Sequence, residues 1–102
     1  MKLQNLDSAV INFLNAKPFL AEDGNELTFR RAIVLAAITP TEERESDEKK
    51  FKKYMLATAL QRDAEPEVST IEVSDIRAGS AMNWPVAIHG AIVEYLENQA
   101  RK

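Results

Sequence analysis

The single histidine, His89, is the side chain of this sequence best suited to acid–base chemistry. Ser80 and Asp75 could in principle complete a triad with it, but no glycine pattern of a nucleophile elbow frames a serine. No Glu-x-x-His or His-x-x-His spacing adds metal ligands beside it. His89 follows Ile88 on an apolar face, which is typical of a packing residue. We therefore predict no catalytic residue, and we do not expect an enzyme.

Carboxylates are concentrated in residues 42–48, where five of seven side chains are acidic. They lack the alternating spacing and central glycine of an EF-hand loop, and residues 22–26 are too few to form one. The three glycines, at positions 24, 79 and 90, form neither a dinucleotide-binding pattern nor a P-loop. We interpret the acidic run as a solvated linker, and we predict no metal site and no cofactor.

The one basic cluster surrounds Phe51 and consists of Lys49, Lys50, Lys52 and Lys53. A helix presenting these lysines could contact nucleic-acid phosphates. The plainer interpretation is the solvated face of an amphipathic helix, partly neutralised by carboxylates one turn earlier. The chain's net charge of −3 predicts no general attraction to nucleic acid. Nucleic-acid contact through these lysines is therefore the alternative interpretation, and nucleic acid is not the expected partner.

Four helices are predicted to position these side chains. Thr28 is an N-cap for a helix over residues 29–38, which ends before Pro40, and Ser46 is an N-cap for one that runs to about residue 63. A Ser-x-x-Glu capping box at Ser69 begins the third helix. The fourth begins at Pro85 and continues to about residue 98.

Two features of these helices concern their packing. In the second helix, helical spacing places Phe51, Met55 and Ala59 on one side, and we expect this side to face the core. Tyr54, Leu56 and Leu60 would widen the same stripe. In the third helix, Gly79 costs about 1 kcal/mol relative to alanine, so we expect a loose or a closely packed position there.

Residues 1–27 are the part of the chain whose structure is least determined by its pattern. Two short apolar runs and a turn cluster at residues 22–25 favour a β-hairpin. A short helix over residues 8–16 that stops before Pro18 is the open alternative. The expected fold is mainly α, a compact four-helix domain preceded by a short N-terminal β-hairpin or irregular extended segment. We expect a single domain over residues 1–102, with the helical core over residues 28–99.

Length and composition fit a small intracellular domain. The chain has 102 residues, of which 45% are hydrophobic and none is cysteine, so it has neither disulfides nor thiolate sites. Residues 1–7 do not resemble a signal peptide, and the longest apolar run, residues 32–38, is too short to cross a bilayer. We expect a soluble cytoplasmic protein without membrane contact.

Several short stretches spread over most of the chain are similar to a family of small, mostly uncharacterised proteins of tailed bacteriophages and prophages. The stretches are Ala16-Lys17-Pro18, Glu22 to Thr28, Ala32 to Leu35, Asp47 to Lys50 with Tyr54 and Leu56-Ala57, Ser69-x-x-Glu72 with Ile76, Trp84-Pro85 and Tyr95-Leu96-Glu97. This resemblance implies a phage or prophage origin and action in the host cytoplasm. It implies no catalytic residue.

Together these features favour a non-enzymatic protein-interaction module of phage type. Its partner would be another phage protein or a host protein, and the role would be that of an assembly accessory or chaperone or of a modulator. Self-association into a homo-oligomer is a further option. Large side chains are the usual anchors of such interfaces. The residues expected to meet the partner are Phe19, Met82, Trp84, His89 and Tyr95.

Overall fold

A computed structural model describes residues 1–101 of the chain. Within them lie a two-strand antiparallel hairpin and four helices, which confirms the predicted fold class. The elements are β1 (Ile11–Asn12), β2 (Lys17–Pro18), α1 (Phe29–Ile38), α2 (Asp47–Arg62), α3 (Thr70–Asn83) and α4 (Val86–Ala100).

The predicted N-caps begin three of the helices. The side-chain oxygens of Thr28 and Ser46 accept hydrogen bonds from backbone amides three residues later, at the starts of α1 and α2. At the start of α3, Ser69 and Glu72 form the complete reciprocal capping box. The fourth helix begins directly after Pro85, which has no amide hydrogen to satisfy. The helix starts are thus set by local chemistry that the sequence displays.

The stretch before α1 is extended, so the alternative of a helix over residues 8–16 is wrong. Ile11 pairs with Pro18 and Asn12 with Lys17 across the hairpin. Ala16 has a positive φ of 58°, which the turn between the strands requires. Beyond Pro18 the pairing continues with one hydrogen bond, from the amide of Phe19 to the carbonyl of Val10 at 2.9 Å.

Hydrogen bonds join this extended stretch to the residues just before α1. The amide of Val10 donates to the carbonyl of Leu27 at 2.8 Å, and the amide of Leu27 donates to the carbonyl of Phe19, also at 2.8 Å. The segments around Val10, Phe19 and Leu27 therefore lie side by side. Val10 and Leu27 are buried, so this arrangement closes one side of the core.

The first residues of the chain pair with the connection between α2 and α3. The amide of Leu3 donates to the carbonyl of Pro66 at 3.0 Å, and the amide of Val68 donates to the carbonyl of Met1 at 2.9 Å. Leu3 is fully buried and Leu6 nearly so. The core thus begins well before residue 28, and the N-terminal region is part of it.

The central element of the core is α1, which packs against α2, α3 and α4. Its buried positions are Ala32, Ile33, Ala36 and Ala37, and the small alanines allow other helices to approach closely. The closest approach is at Gly79 of α3. A Cβ atom at that position would lie 1.8 Å from the carbonyl oxygen of Ala36. The position is therefore closely packed.

Arg30 fixes the C-terminal end of α2 to the start of α1. Its guanidinium donates to the carbonyls of Leu60 and Asp63, which the helix leaves without internal partners, and it pairs with Asp7 at 2.9 Å. A cation at a helix C-terminus is also favoured by the helix dipole. This contact orients α2 on the surface of the domain.

Candidate protein-binding surface

The outward face of α2 has three large apolar side chains. Phe51, Tyr54 and Met55 are 60%, 60% and 54% exposed, whereas Leu56 and Leu60 are buried. The prediction that Phe51 and Met55 face the core is therefore wrong. The helix is rotated relative to that prediction, and its buried side is centred on the two leucines.

The rotation of α2 is explained by Lys53, which occupies an inward position. Its ammonium group donates to the carbonyl of Thr39 at 2.9 Å and pairs with the carboxylate of Glu45, and both side chains of the pair are less than 10% exposed. A buried cation is tolerated only with such partners. The ammonium also satisfies a carbonyl at the C-terminal end of α1. This placement removes Lys53 from the basic surface that the sequence predicted.

The other three lysines of the cluster differ in how well they are neutralised. Lys49 pairs with Glu42 at 2.7 Å, and that hydrogen bond is the main cause that raises the pKa of Lys49. Lys52 pairs with Glu48 at 3.2 Å. Among residues 1–101, no carboxylate lies within 4.0 Å of the Lys50 ammonium. A shared basic surface of four lysines is thus reduced to one unpaired cation.

Further apolar side chains extend the outward face of α2 on both sides. The rings of Phe51 and Tyr54 stack with centroids 6.3 Å apart. Tyr54 shares a cleft with Ile38 at the end of α1, and Met55 shares another with Ile71 at the start of α3. We call these five residues the apolar band; each is between 49% and 75% exposed. A group of exposed large apolar side chains of this kind is typical of a binding site.

The clefts on the two sides of the band differ in charge. The cleft toward α3 has a volume of about 460 Å³, and its lining combines three lysines with the carboxylates of Glu48, Glu72 and Asp75. The cleft toward α1, of about 530 Å³, has Lys50 and Arg62 in its wall, and Glu45 is its one carboxylate. Because Lys53 neutralises Glu45, the lining of the cleft toward α1 keeps the positive charges of Lys50 and Arg62, while Lys50 also borders a smaller depression lined by Glu42 and Glu43. We call the cleft toward α1 the α1–α2 cleft.

A second apolar depression lies between the hairpin and α4. It has a volume of about 620 Å³. Exposed Ile11 and Phe13 stand on the hairpin side and Val86 and Gly90 on the helix side, with Glu94 also in the lining. This depression and the apolar band lie on different elements, so residues 1–101 have at least two separate exposed apolar surfaces.

Two of the aromatic residues expected at an interface, Tyr95 and Trp84, are held within the domain by hydrogen bonds. Tyr95 is 8% exposed and stacks on Phe29 with ring centroids 4.6 Å apart, and its hydroxyl donates to the carbonyl of Gln4 at 2.6 Å. Trp84 is half-buried, and its indole nitrogen donates to the carbonyl of Ala32 at 3.0 Å. Both polar atoms are thereby satisfied inside the domain, as buried tyrosine and tryptophan require.

The remaining expected interface residues are placed in three different ways. His89 is half-buried, and its Nδ1 lies 2.8 Å from the hydroxyl of Ser80, which is fully buried. Phe19 is half-buried against the core. Met82, near the end of α3, is 68% exposed. Of the five expected residues, Met82 is the one with a largely exposed side chain.

Burial of Tyr95 gives a prediction for alkaline solution. Loss of contact with water raises the pKa of Tyr95 to about 12. The folded state therefore keeps a proton that the unfolded chain loses near pH 10, so this residue makes stability fall as the pH rises from about 10 to 12. We expect Tyr95→Phe to be less stable at pH 7 by about 1 kcal/mol, and to lose less stability over that alkaline range. Urea unfolding at several pH values measures both effects; equal slopes for the two proteins would contradict the assignment.

No family model, no curated protein and no solved structure matches this chain. Within residues 1–101, no three histidine or carboxylate side chains are grouped so as to hold a metal ion. In the same part of the chain, no helix has both the length and the apolar character needed to cross a bilayer.

Proposed function

We propose that this protein is a non-enzymatic interaction module that binds another protein through the apolar band. The observation that carries the proposal is the inverted arrangement of α2, which buries the Lys53 ammonium and exposes Phe51, Tyr54 and Met55. Each large apolar side chain that a partner covers contributes about 1.5–3 kcal/mol. Aromatic residues and methionine are also enriched at protein interfaces.

The contacts of His89 support a binding role over catalysis. Its Nδ1 is hydrogen-bonded to Ser80, and Ser80 is fully buried, so this hydroxyl is not presented to a substrate. The lysine contacts likewise favour protein over nucleic acid. Three of the four clustered lysines have carboxylate partners, which reduces the number of phosphates they could neutralise.

The resemblance to small phage proteins gives the proposal two versions. In one, the protein is an accessory or chaperone of particle assembly; in the other, it modulates a phage or host protein. Both versions have it act in the cytoplasm of the host cell. Self-association through the apolar band is a third version that a simple measurement separates from these.

Removing the band is predicted to abolish binding without harming the fold. Because Phe51 and Tyr54 are largely exposed, we expect replacement of both by serine to change the free energy of unfolding by less than about 1 kcal/mol. Thermal unfolding checks this. A photo-crosslinking amino acid at position 51 or 55, used in the host cell, is expected to give discrete protein adducts, and Tyr54→Ser is expected to reduce them.

The matched control is the same crosslinker at Leu14, which is exposed on the hairpin. Adducts of equal yield and pattern at positions 14 and 51, or none at 51 and 55, would contradict the proposal. Light scattering after size-exclusion chromatography, over a concentration series, shows whether the adduct is a second copy of the chain. A large fall in stability of the double serine variant would show that the band is structural.

A further inference from the structure

The α1–α2 cleft combines apolar side chains with unpaired positive charge. Its lining includes Ile38, Tyr54 and Ala57. Lys50 and Arg62 stand in its wall, and among residues 1–101 neither has a carboxylate oxygen within 4.0 Å, in contrast to the neighbouring Lys49 and Lys52. A carboxylate of a partner could therefore pair with Lys50 or Arg62 without first breaking an existing ion pair.

The single acidic residue of the cleft does not cancel this charge. Glu45 is held by the buried Lys53, whose hydrogen bond is the main cause that keeps the pKa of Glu45 below its ordinary value. Of the five cationic side chains of helix α2, Lys49, Lys52 and Lys53 pair with carboxylates, which leaves Lys50 and Arg62 without such a partner among residues 1–101. The two unpaired cations of α2 thus both line the cleft that Tyr54 of the apolar band enters.

The distance between Lys50 and Arg62 sets the length of a peptide segment that could contact both. Lys50 and Arg62 are twelve positions apart on one helix, or about 18 Å along its axis. Tyr54 lies between them, one turn after Lys50. A binding segment would need an apolar side chain opposite Tyr54 and carboxylates on both sides of it. About twelve helical residues or five to six extended residues span that distance.

We infer that the α1–α2 cleft binds an acidic segment of a partner protein, with an apolar anchor against Tyr54 and carboxylates at Lys50 and Arg62. The inference rests on the function proposed above and adds the chemistry of the partner. A second copy of this chain fits less well, because a symmetric contact through this face would bring like charges together. Nucleic acid fits less well too, since two free cations neutralise few phosphates.

A random peptide library tests the inference while the partner is still unidentified. Displayed peptides of sixteen random residues are selected on the full-length protein and, in parallel, on the Phe51→Ser/Tyr54→Ser variant. We expect the peptides enriched on the parent protein alone to be acidic, with two carboxylates flanking an aromatic or aliphatic residue. The best of them, labelled with fluorescein, is then titrated by fluorescence anisotropy.

Charge-reversal variants locate the bound peptide. We expect Lys50→Glu and Arg62→Glu each to weaken binding about three- to tenfold, and added salt to weaken binding to the parent protein. Lys17→Glu, an equal change of charge on the exposed hairpin, is the matched control and is expected to have less than a twofold effect. Circular dichroism confirms that each variant is folded.

The outcomes separate this inference from the proposed function. One contrary result is a set of enriched peptides that require Phe51 and Tyr54 but are neutral or basic; another is a set that binds equally well to Lys50→Glu and Arg62→Glu. Either result would overturn the acidic partner and leave the proposed binding through the apolar band intact. No enrichment over the serine variant would overturn both. A 20-nucleotide single-stranded DNA or RNA that binds more tightly than the best peptide, and is lost with Lys50→Glu, would also overturn the inference. So would a dimer that dissociates in Tyr54→Ser.

Discussion

Replacing Gly79 with alanine is expected to destabilise the domain by at least about 2 kcal/mol, and replacing it with valine to prevent folding. The added Cβ would lie 1.8 Å from the carbonyl oxygen of Ala36, well inside van der Waals contact. The obstacle is backbone, which cannot rotate away as a side chain can, so α1 and α3 must separate. Alanine favours a helix by about 1 kcal/mol over glycine, but overpacking costs about 1–3 kcal/mol or more, and a clash with backbone at 1.8 Å lies at or above the upper end of that range, so the net loss is at least about 2 kcal/mol. Thermal and urea unfolding measure the difference.

Gly90 of α4 provides the matched control, because a Cβ there would meet nothing within 4 Å. We expect Gly90→Ala to stabilise the domain by about 0.5–1 kcal/mol through helix propensity alone. Opposite signs for the same substitution in two helices would show that contact with α1, and not propensity, decides the effect at Gly79. A neutral or stabilising Gly79→Ala would contradict the close packing of α1 on α3.

The helices can be predicted from the sequence because their signals are local. Thr28, Ser46 and Ser69 each lie within three residues of the amide they cap, so the pattern and its cause are adjacent in the sequence. The same is true of the turn that Pro40 enforces after α1. At Gly79 the sequence leaves a loose and a closely packed position open, because the choice depends on which atom of α1 faces it.

The N-terminal region shows the limit of such reasoning. Local pattern offers the hairpin as one of two options, but the pairing of Leu3 with Pro66 joins positions 63 residues apart. No local pattern indicates that partner. Leu3, Leu6 and Val10 therefore belong to the core, although the sequence predicts a helical core that begins at residue 28.

Sequence reasoning misses the candidate site for a related reason. Helical spacing assigns Phe51 and Met55 to the core because it treats lysine as a surface residue, and Lys53 lies between them. The residue that reverses this is Glu45, which pairs with Lys53 from the linker before α2. Helical spacing that starts from Leu56 and Leu60 places Lys53 on the same face as these leucines. Accepting a lysine on the buried face would have indicated the correct orientation of α2.

The sequence also does not show how the expected interface residues Trp84 and Tyr95 are held within the domain. Trp84 and Tyr95 resemble binding residues by type, yet each has a backbone carbonyl within the domain as its hydrogen-bond acceptor. Tyr95 reaches Gln4, which is 91 positions away. The large, amphipathic side chains that favour interfaces equally favour the junction between a core and its covering segment.

Lys53→Met is expected to lower the melting temperature by more than about 10 °C, the second-largest effect of those predicted. Methionine keeps the apolar stem but leaves the Glu45 carboxylate buried without its main partner, and loss of one member of a buried pair is strongly destabilising. The carbonyl of Thr39 loses its donor as well. Lys52→Met is the matched control. Its pair with Glu48 is exposed, so we expect a change near zero.

The dependence on pH distinguishes loss of the Glu45–Lys53 pair from simple loss of packing. In the parent protein the pKa of Glu45 is lowered, so its stabilising contribution is complete at neutral pH and is lost as the pH falls through that lowered value. In Lys53→Met, protonation removes a buried unpaired charge and relieves the variant. We therefore expect the difference in stability between the two proteins to shrink below about pH 4. A constant difference from pH 7 to pH 3 would show that the ammonium contributes by packing alone, and the electrostatic explanation for the outward turn of Phe51 and Met55 would fail with it.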